Sequence, residues 1–280
     1  MSSFAAKSGR LTAAPPAGLV GDMDLELTGH RVVVTGAASG IGLEIARGFA
    51  AEGATVMVGD VDGAALAALD QSDPEINRAQ CDVADRESVE RFVANAASAL
   101  GGIDTLVNNA GVAGPTGPVD EIAPDDWDRC LQVCLTGQFN MTRAAVPWLR
   151  QSANPSIINL SSLAGRVGFA LRTPYAAAKW GVIGFTKSLS IELGPDRIRV
   201  NAILPGLVAG DRQRRVLEAK AQRLAASFDE IEARAFGYTS IREYVTPRQI
   251  ADQILFLASD RGKTISGQAI SVCGDTQMLA

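Results

Sequence analysis

Short β-branched runs alternate with helix-period segments from Arg31 to the end of the chain. Arg31-Val32-Val33-Val34-Thr35 reads as a strand from its β-branched run. A helix is expected over 41–52, a strand over 54–60 and a helix over 64–70. The same alternation gives a strand at 76–81, a helix at 85–100 and a strand at 103–108. One long helix is expected at 125–150, with Pro147 near its end, then a strand at 156–161. Helix 174–193, strand 198–204, an irregular helical stretch at 211–236, helix 247–259 and strand 268–272 complete the pattern. Strands and helices that alternate in this way predict an α/β fold of the Rossmann type, one doubly wound parallel sheet of about seven strands with helices on both faces. No internal repeat is seen.

Residues 1–27 differ from everything that follows. They are rich in Ala, Ser, Gly and Pro, as in Ala14-Pro15-Pro16-Ala17-Gly18, and read as a flexible arm ahead of a single catalytic domain at 28–280. Lys7 and Arg10, with no acid before Asp22, give a weak transit-peptide signal, but amphipathic arginine spacing is missing. The first 25 residues lack the apolar core of a signal peptide, and no apolar run approaches the roughly 20 residues that span a bilayer. A cytoplasmic protein with no membrane partner is the expectation. A net charge of −5 argues against a nucleic-acid partner, which calls for a basic face.

Composition also narrows the chemistry. His30 is the only histidine, which excludes a multi-histidine metal centre and disfavours a Ser-His-Asp triad. The four cysteines, 81, 130, 134 and 273, form no Cys-x-x-Cys pair. Cys130 and Cys134 would share a helical face, but two thiols make half a zinc site at most, so buried free thiols and no metal are expected.

The candidate chemistry lies at strand ends. Thr35-Gly36-Ala37-Ala38-Ser39-Gly40-Ile41-Gly42 follows the first strand and opens the first helix. Its glycines let backbone approach a pyrophosphate, and the helix terminus supplies free N–H groups. Asp60, with Val61 after it, ends the second strand, where a carboxylate can accept from both ribose hydroxyls and would repel a 2′-phosphate. Ala37, Ala38 and Ser39 offer no compensating base, so NAD is the expected cofactor. Asn108-Asn109-Ala110-Gly111 ends the fourth strand, where its amides can tie strand ends together beside a cofactor.

Tyr175 and Lys179 stand four apart on the expected helix 174–193, and so share a face. A nearby ammonium favours the phenolate. Ser161-Ser162 lies thirteen residues upstream of Tyr175, counted from Ser162, and a serine hydroxyl can hold a carbonyl or alkoxide oxygen.

Taken together, Thr35 to Gly42, Asp60, Cys81-Asp82-Val83, Asn108 to Gly111, Ser162, Tyr175, Lys179 and Pro205-Gly206 resemble, in order and spacing, the short-chain dehydrogenases/reductases over about residues 28–275. The resemblance implies Tyr175 as general acid/base, Lys179 as the residue that lowers its pKa and binds the nicotinamide ribose, and Ser162 as the holder of the substrate oxygen. It implies cofactor contacts from Gly36, Ser39, Gly40, Ile41, Gly42, Asp60, Val61, Asp82, Val83, Asn109, Ala110, Gly111, Pro205, Gly206 and Val208, together with Tyr175 and Lys179. It also implies a small-molecule alcohol or ketone substrate and a homotetramer. The segment 207–240 would form the substrate lid. Its bases Arg212, Arg214, Arg215, Lys220, Arg223 and Arg234 are either a solvated face balanced by Glu218, Asp229, Glu230 and Glu232 or hold one arginine for a substrate anion. Arg166 and Arg172 lie nearer the catalytic residues in sequence.

Two positions depart from the family pattern. Cys134 stands in Val133-Cys134-Leu135-Thr136-Gly137 where the family carries an asparagine that supports a proton-relay water. Gly210 stands where a threonine often contacts the nicotinamide carboxamide. The first departure motivates an alternative reading, a catalytically weak NAD-binding member with a sensing or scaffolding role.

Overall fold

The structure, a computed structural model, describes residues 24–279. Seven parallel strands form one sheet in the order β3-β2-β1-β4-β5-β6-β7. They are β1 (Arg31–Thr35), β2 (Thr55–Asp60), β3 (Asn77–Gln80), β4 (Thr105–Asn108), β5 (Ser156–Leu160), β6 (Arg199–Pro205) and β7 (Ala269–Val272). The strand order reverses direction between β1 and β4, which opens a crevice beyond their carboxyl ends where ligands of such sheets bind.

The pleat divides the core in two. Val32 and Val34 face one layer and Val33 the other, as alternation along a strand requires. On the first face lie α1 (Gly40–Ala51), α2 (Gly63–Ser72) and α9 (Pro247–Ala258), through Ile45, Phe49, Leu66, Leu69, Ile250 and Ile254. On the second lie α3 (Arg86–Leu100), α5 (Gly137–Leu149) and α6 (Thr173–Glu192), through Val89, Phe92, Met141, Leu149 and Leu189. The remaining helices are α4 (Pro124–Leu131), α7 (Asp211–Arg223) and α8 (Phe228–Gly237). No helix among the described residues is long and apolar enough to cross a membrane.

Element boundaries fall within one or two residues of expectation, with two corrections. The long helix expected at 125–150 is not continuous. Its middle, Gln132–Thr136, is a π turn between α4 and α5, an insertion of the kind found often at functional sites. The stretch 211–236 is two helices. Ala225 takes a left-handed φ of 49°, and Ser227 then starts α8 with a capping box to Glu230. The Ser-x-x-Glu spacing in the sequence marks that restart.

Among the described residues, Leu25 already packs, partly buried, against the first core layer and Leu27 is buried in it, ahead of the expected domain start at 28. The arm expected at 1–27 otherwise lies, through residue 23, outside the described residues. Cys81, Cys130 and Cys134 are buried free thiols, whereas Cys273 is only partly buried. His30 is a structural residue, its Nε2 2.8 Å from the Thr105 hydroxyl.

Candidate active site

The β1–α1 turn is held from behind by β4. Asn109 donates its side-chain amide to the carbonyls of Thr35 (3.0 Å) and Gly36 (2.7 Å), while the backbone N–H groups of Asn109 and Ala110 both donate to the Thr35 hydroxyl. A side chain at Gly42 has no room, because an added Cβ would lie 2.4 Å from the Gly36 carbonyl oxygen. On the outer side, Ser39 and Gly40 are exposed, and the Ser39 side chain makes no capping bond to α1. The first turn of α1, including Ile41, thus presents backbone N–H groups to open space, the arrangement that receives a pyrophosphate.

Asp60 sits beside this turn. One carboxylate oxygen accepts from the Ala38 N–H at 3.0 Å and the other from the Asp62 N–H at 3.1 Å. Val61 is exposed, unusual for valine, at the mouth of a cavity of about 410 Å³ that Gln80, Asp82, Ser88, Arg91 and Asn95 also line. Asp82 accepts from the Ala84 N–H at 2.9 Å. Val83 is turned inward, buried, with its carbonyl taken by Asn140. An acid at the end of β2, an exposed apolar face after it and a glycine turn on a helix terminus fit a dinucleotide: the turn for the phosphates, Asp60 for the adenosine ribose, and Val61 and Asp82 for the base.

The catalytic candidates come from β5 and α6. Ser162 starts a single 3₁₀ turn, Leu163–Gly165, and its hydroxyl oxygen accepts from the Ala164 N–H at 3.1 Å. That leaves its O–H free to donate to a ligand oxygen. Ser161 is turned the other way and donates to the Lys179 carbonyl at 2.8 Å, which fixes the turn against α6. Pro174 lies in the first turn of α6, where a missing N–H costs nothing. One helical turn links Tyr175 to Lys179, whose ammonium lies 5.6 Å from the centroid of the tyrosine ring and donates to the Leu160 carbonyl at 2.7 Å. The structure therefore brings Tyr175 and Lys179 onto one face, with the Ser162 turn docked on the same helix.

Across the site, an added Cβ on Gly111 would lie 3.5 Å from the Cys134 sulfur and 3.7 Å from the Lys179 nitrogen, so β4, the π turn and α6 meet here. Cys134 uses its thiol twice on one residue. Its sulfur accepts the Val112 N–H at 3.3 Å and donates to the Val112 carbonyl at 3.4 Å. A hydrogen bond from Cys130 holds the Cys134 thiol below the ordinary thiol range against the opposing effect of burial, and the Lys179 ammonium adds to the lowering. Cys130 is pushed up correspondingly by that bond and by burial. Gly210 has φ of +142°, a conformation in which a threonine would be strained, which accounts for the second departure from the family pattern.

On the lid side, Pro205 ends β6, Gly206 donates its N–H to the Val272 carbonyl at 3.0 Å, and Val208 bridges to Val245. Arg214, Arg215 and Arg234 are exposed, as a solvated face requires. Arg223 pairs with Glu121, and Arg212 reaches back to the Gly111 carbonyl. Lys220 departs from the solvated reading: it is buried, 4.1 Å from the centroid of the Phe169 ring. Of the two arginines nearer the catalytic candidates, Arg166 is exposed and donates to Ser271, whereas Arg172 is buried beside Tyr175.

Asn159, Thr142 and Thr186 lie outside the motifs, and Thr35, inside one, has a role the motif does not state. Thr35 orients Asn109, and Asn108 donates to Asn159 (2.9 Å) and Thr142 (3.1 Å), with Asn159 donating in turn to Thr186 (2.9 Å). These are buried polar residues inside otherwise apolar strands and helices, and that interruption is the signal that could have found them.

The geometry has the form of an oxidoreductase of the short-chain class, and comparison agrees. Residues 36–274 match the family model described as enoyl-(acyl carrier protein) reductase. The chain is 38% identical over 254 residues to trans-4-hydroxycyclohexanecarboxylate dehydrogenase of Sinomonas cyclohexanicum, covering 86% of this chain and 90% of the relative. Among solved structures it resembles a point variant of actinorhodin polyketide ketoreductase with NADPH (33% identity, TM-score 0.83, 88% of this chain and 96% of the other). It also resembles NAD⁺-bound xylitol dehydrogenase (28% identity, TM-score 0.84, 89% and 99%). The chain belongs to the short-chain dehydrogenase/reductase family, oxidoreductases that act on keto and hydroxyl groups.

Proposed function

We propose that the protein is an NAD(H)-dependent oxidoreductase that interconverts a secondary alcohol and a ketone, with Tyr175 as general acid/base. The observation that carries this reading is the face of α6, where the Lys179 ammonium lies 5.6 Å from the Tyr175 ring centroid and the Ser162 turn is docked alongside. A bound nicotinamide accepts or returns a hydride. The chain's own residues do the rest. The Ser162 O–H holds the reacting oxygen. The Tyr175 hydroxyl exchanges the proton with it, taking it in oxidation and giving it in reduction, and Lys179 stabilises the phenolate between the two.

The choice of NAD rests on Asp60, which among the described residues has no base as a hydrogen-bond partner and would sit against a 2′-phosphate. Relatives differ here, since one structural neighbour was solved with NADPH and another with NAD⁺. Assembly as a homotetramer is supported by the apolar side chains left outside by the long helices: Phe139 and Trp148 on α5, and Trp180 and Ile191 on α6, the last 80% exposed. A monomer in light scattering at micromolar concentration would contradict it.

The deciding assay follows NADH formation on a panel of secondary alcohols, polyols and hydroxy acids. Tyr175→Phe should lower turnover by roughly 10²–10⁴-fold, the usual worth of general acid–base catalysis, with NAD binding nearly intact. Most of the activity surviving in that variant would sink the mechanism. No turnover by the native protein of any panel member, with NAD still bound, would favour a sensing or scaffolding role.

A further inference from the structure

Gln138 and Phe139 reverse the usual order of polar and apolar positions. Gln138 is buried, with 2% of its surface exposed, while Phe139 is 43% exposed. Both follow the π turn directly, in the first turn of α5. Nε2 of Gln138 donates to the Leu160 carbonyl at 3.1 Å, and the Lys179 ammonium donates to that same oxygen at 2.7 Å. One oxygen therefore sets the amide beside the ammonium. It also fixes the sense of the amide, since the flipped form would turn an oxygen onto the carbonyl. The remaining atom, Oε1, is buried and has no hydrogen-bond partner among the described residues. One turn further along α5, Thr142 accepts from Asn108 at 3.1 Å, and Oδ1 of Asn108 is likewise unmet. Cys134, which also lies close to Lys179, spends its thiol on Val112 in both directions. A buried amide oxygen without a donor is costly. Lys179 carries three N–H groups, of which the Leu160 carbonyl takes one. A water between the two side chains serves both, accepting from Lys179 and donating to Gln138.

We propose that Gln138 is a positioning residue for proton transfer at Lys179: its Oε1 holds a buried water against the ammonium, and that water carries protons between Lys179 and solvent. The proposal rests on the alcohol–ketone reading, which requires one proton to leave the site for each alcohol oxidised and one to enter for each ketone reduced. In oxidation Tyr175 takes the hydroxyl proton of the alcohol. Lys179 releases a proton to the water and is recharged by the one Tyr175 took, so phenolate and ammonium both return to their starting state. Reduction runs the same transfers backwards. Gln138 touches neither the substrate nor the reacting atoms. It acts by keeping a proton acceptor against Lys179, which is itself only 4% exposed and has little bulk water to use.

A crystal structure of the NAD⁺-bound native protein should show one ordered water within about 3.2 Å of both Gln138 Oε1 and Lys179 Nζ. No water between the two atoms, or Oε1 paired with a protein donor instead, would overturn the proposal, and this measurement needs no variant to fold. Gln138→Met, similar in size but without the amide, should remove that water. Its kcat should fall about tenfold, the rate equivalent of one hydrogen bond to a charged group, with KM and the NAD dissociation constant within about twofold of native. Isotope effects separate a relay from a prop. In deuterium oxide the variant should be slowed more than the native protein, while deuterium at the carbinol carbon should slow it less, because proton transfer has become limiting. A similar loss with both isotope effects unchanged, or a loss taken in NAD affinity, would mean that Gln138 only braces the Leu160 carbonyl, and would overturn the relay. Native turnover in a variant that lacks the water would overturn it as well. If the native protein turns over no alcohol or ketone although the water is in place, the alcohol–ketone reading fails and the water site stands.

Discussion

At the amino edge of the sheet Arg31 meets Asp104 in a two-pronged pair, Nε and Nη2 donating at 2.8 and 2.6 Å, and Arg47 meets Asp73 in the same way at 2.6 and 2.9 Å. Buried Arg199 has no carboxylate among its hydrogen-bond partners, yet its terminal nitrogens reach the carbonyls of Leu257, Gly262 and Ala258 and the side chain of Asn154. Beside α6 Arg172 has one carbonyl and two idle nitrogens, with Lys220 and Arg212 as neighbours of like charge. Where a cation serves only the scaffold, the chain supplies its partners. Beside α6 it buries Arg172 with two guanidinium nitrogens unpaired. Burying a charge is costly in both regions, and the difference is one of hydrogen bonding: Arg199 has its terminal nitrogens satisfied, whereas Arg172 keeps two nitrogens unpaired.

The scaffold side of this contrast is broken most directly at Asp104. Burial opposes its ionisation, but hydrogen bonds from Arg31 and Ser152 outweigh that effect and hold the carboxyl down at about 2. A folded value below the ordinary 3.8 stabilises the native state above pH ~4, and the contribution is lost as pH falls through about 2. The shift corresponds to about 2 kcal/mol at neutral pH. Asp104→Asn should therefore lower Tm by roughly 4–8 °C at pH 7. In urea titrations the gap between native and variant proteins should narrow as pH falls from about 4 toward 2. A Tm unchanged at pH 7 would show that the pair does no more for the fold than Arg172 does. His30 shifts in a compatible sense. Burial, the largest effect, lowers its pKa, so the folded state loses stability as pH falls below its ordinary 6.5.

Legibility in the sequence follows the same division. The placement of the glycine turn, Asp60, Asn109, Ser162, Tyr175 and Lys179 at strand ends and on one helix could be read because each is a local feature, a residue type after a strand or a fixed helical spacing. Most of the strands could be read because strands buried on both faces of a parallel sheet are rich in apolar residues, as in β1 and β5, whereas edge strand β3 is polar and partly exposed. What escaped depends on distant contacts. The π turn at Gln132–Thr136 arises inside a helix-period segment that carries no breaker, with Cys134 held by Val112 across the site. The two unpaired nitrogens of Arg172 were invisible for a similar reason: an unmet hydrogen bond is a property of the packed molecule. Among six lid bases of similar appearance, nothing local separated buried Lys220 from exposed Arg214 and Arg215.

The opposite end of the site sharpens the comparison, because there the charge at issue is negative. Among the described residues, Asp60 has no arginine or lysine as a hydrogen-bond partner and accepts from the backbone N–H groups of Ala38 and Asp62. If it selects against a 2′-phosphate, Asp60→Ala should shift the ratio of NAD to NADP dissociation constants toward NADP by about tenfold or more, a modest figure for a repulsion partly open to water. NAD affinity should fall as well, since the ribose loses its acceptor. Calorimetry with both nucleotides reads this. Comparable affinity for the two in the native protein would refute the NAD assignment outright.

The smallest effect is expected at Cys134, where the two regions touch. Its sulfur accepts from and donates to Val112, so the cysteine keeps both hydrogen bonds that an asparagine amide could make there, each in weaker form. Its thiol is also held below the ordinary range, by Cys130 first and by the Lys179 ammonium as well, so a growing fraction of thiolate draws on that ammonium as pH rises. Cys134→Asn replaces one compact side chain with another, restores a full-strength donor and acceptor, and removes the competing charge. Turnover should rise a few-fold, the gain should be larger at alkaline than at acid pH, and the NAD dissociation constant should stay nearly constant. Equal or lower turnover across the pH range in a well-folded variant would mean that backbone groups of the π turn organise proton delivery without help from position 134. The departure from the family pattern would then be a packing choice with no bearing on Lys179.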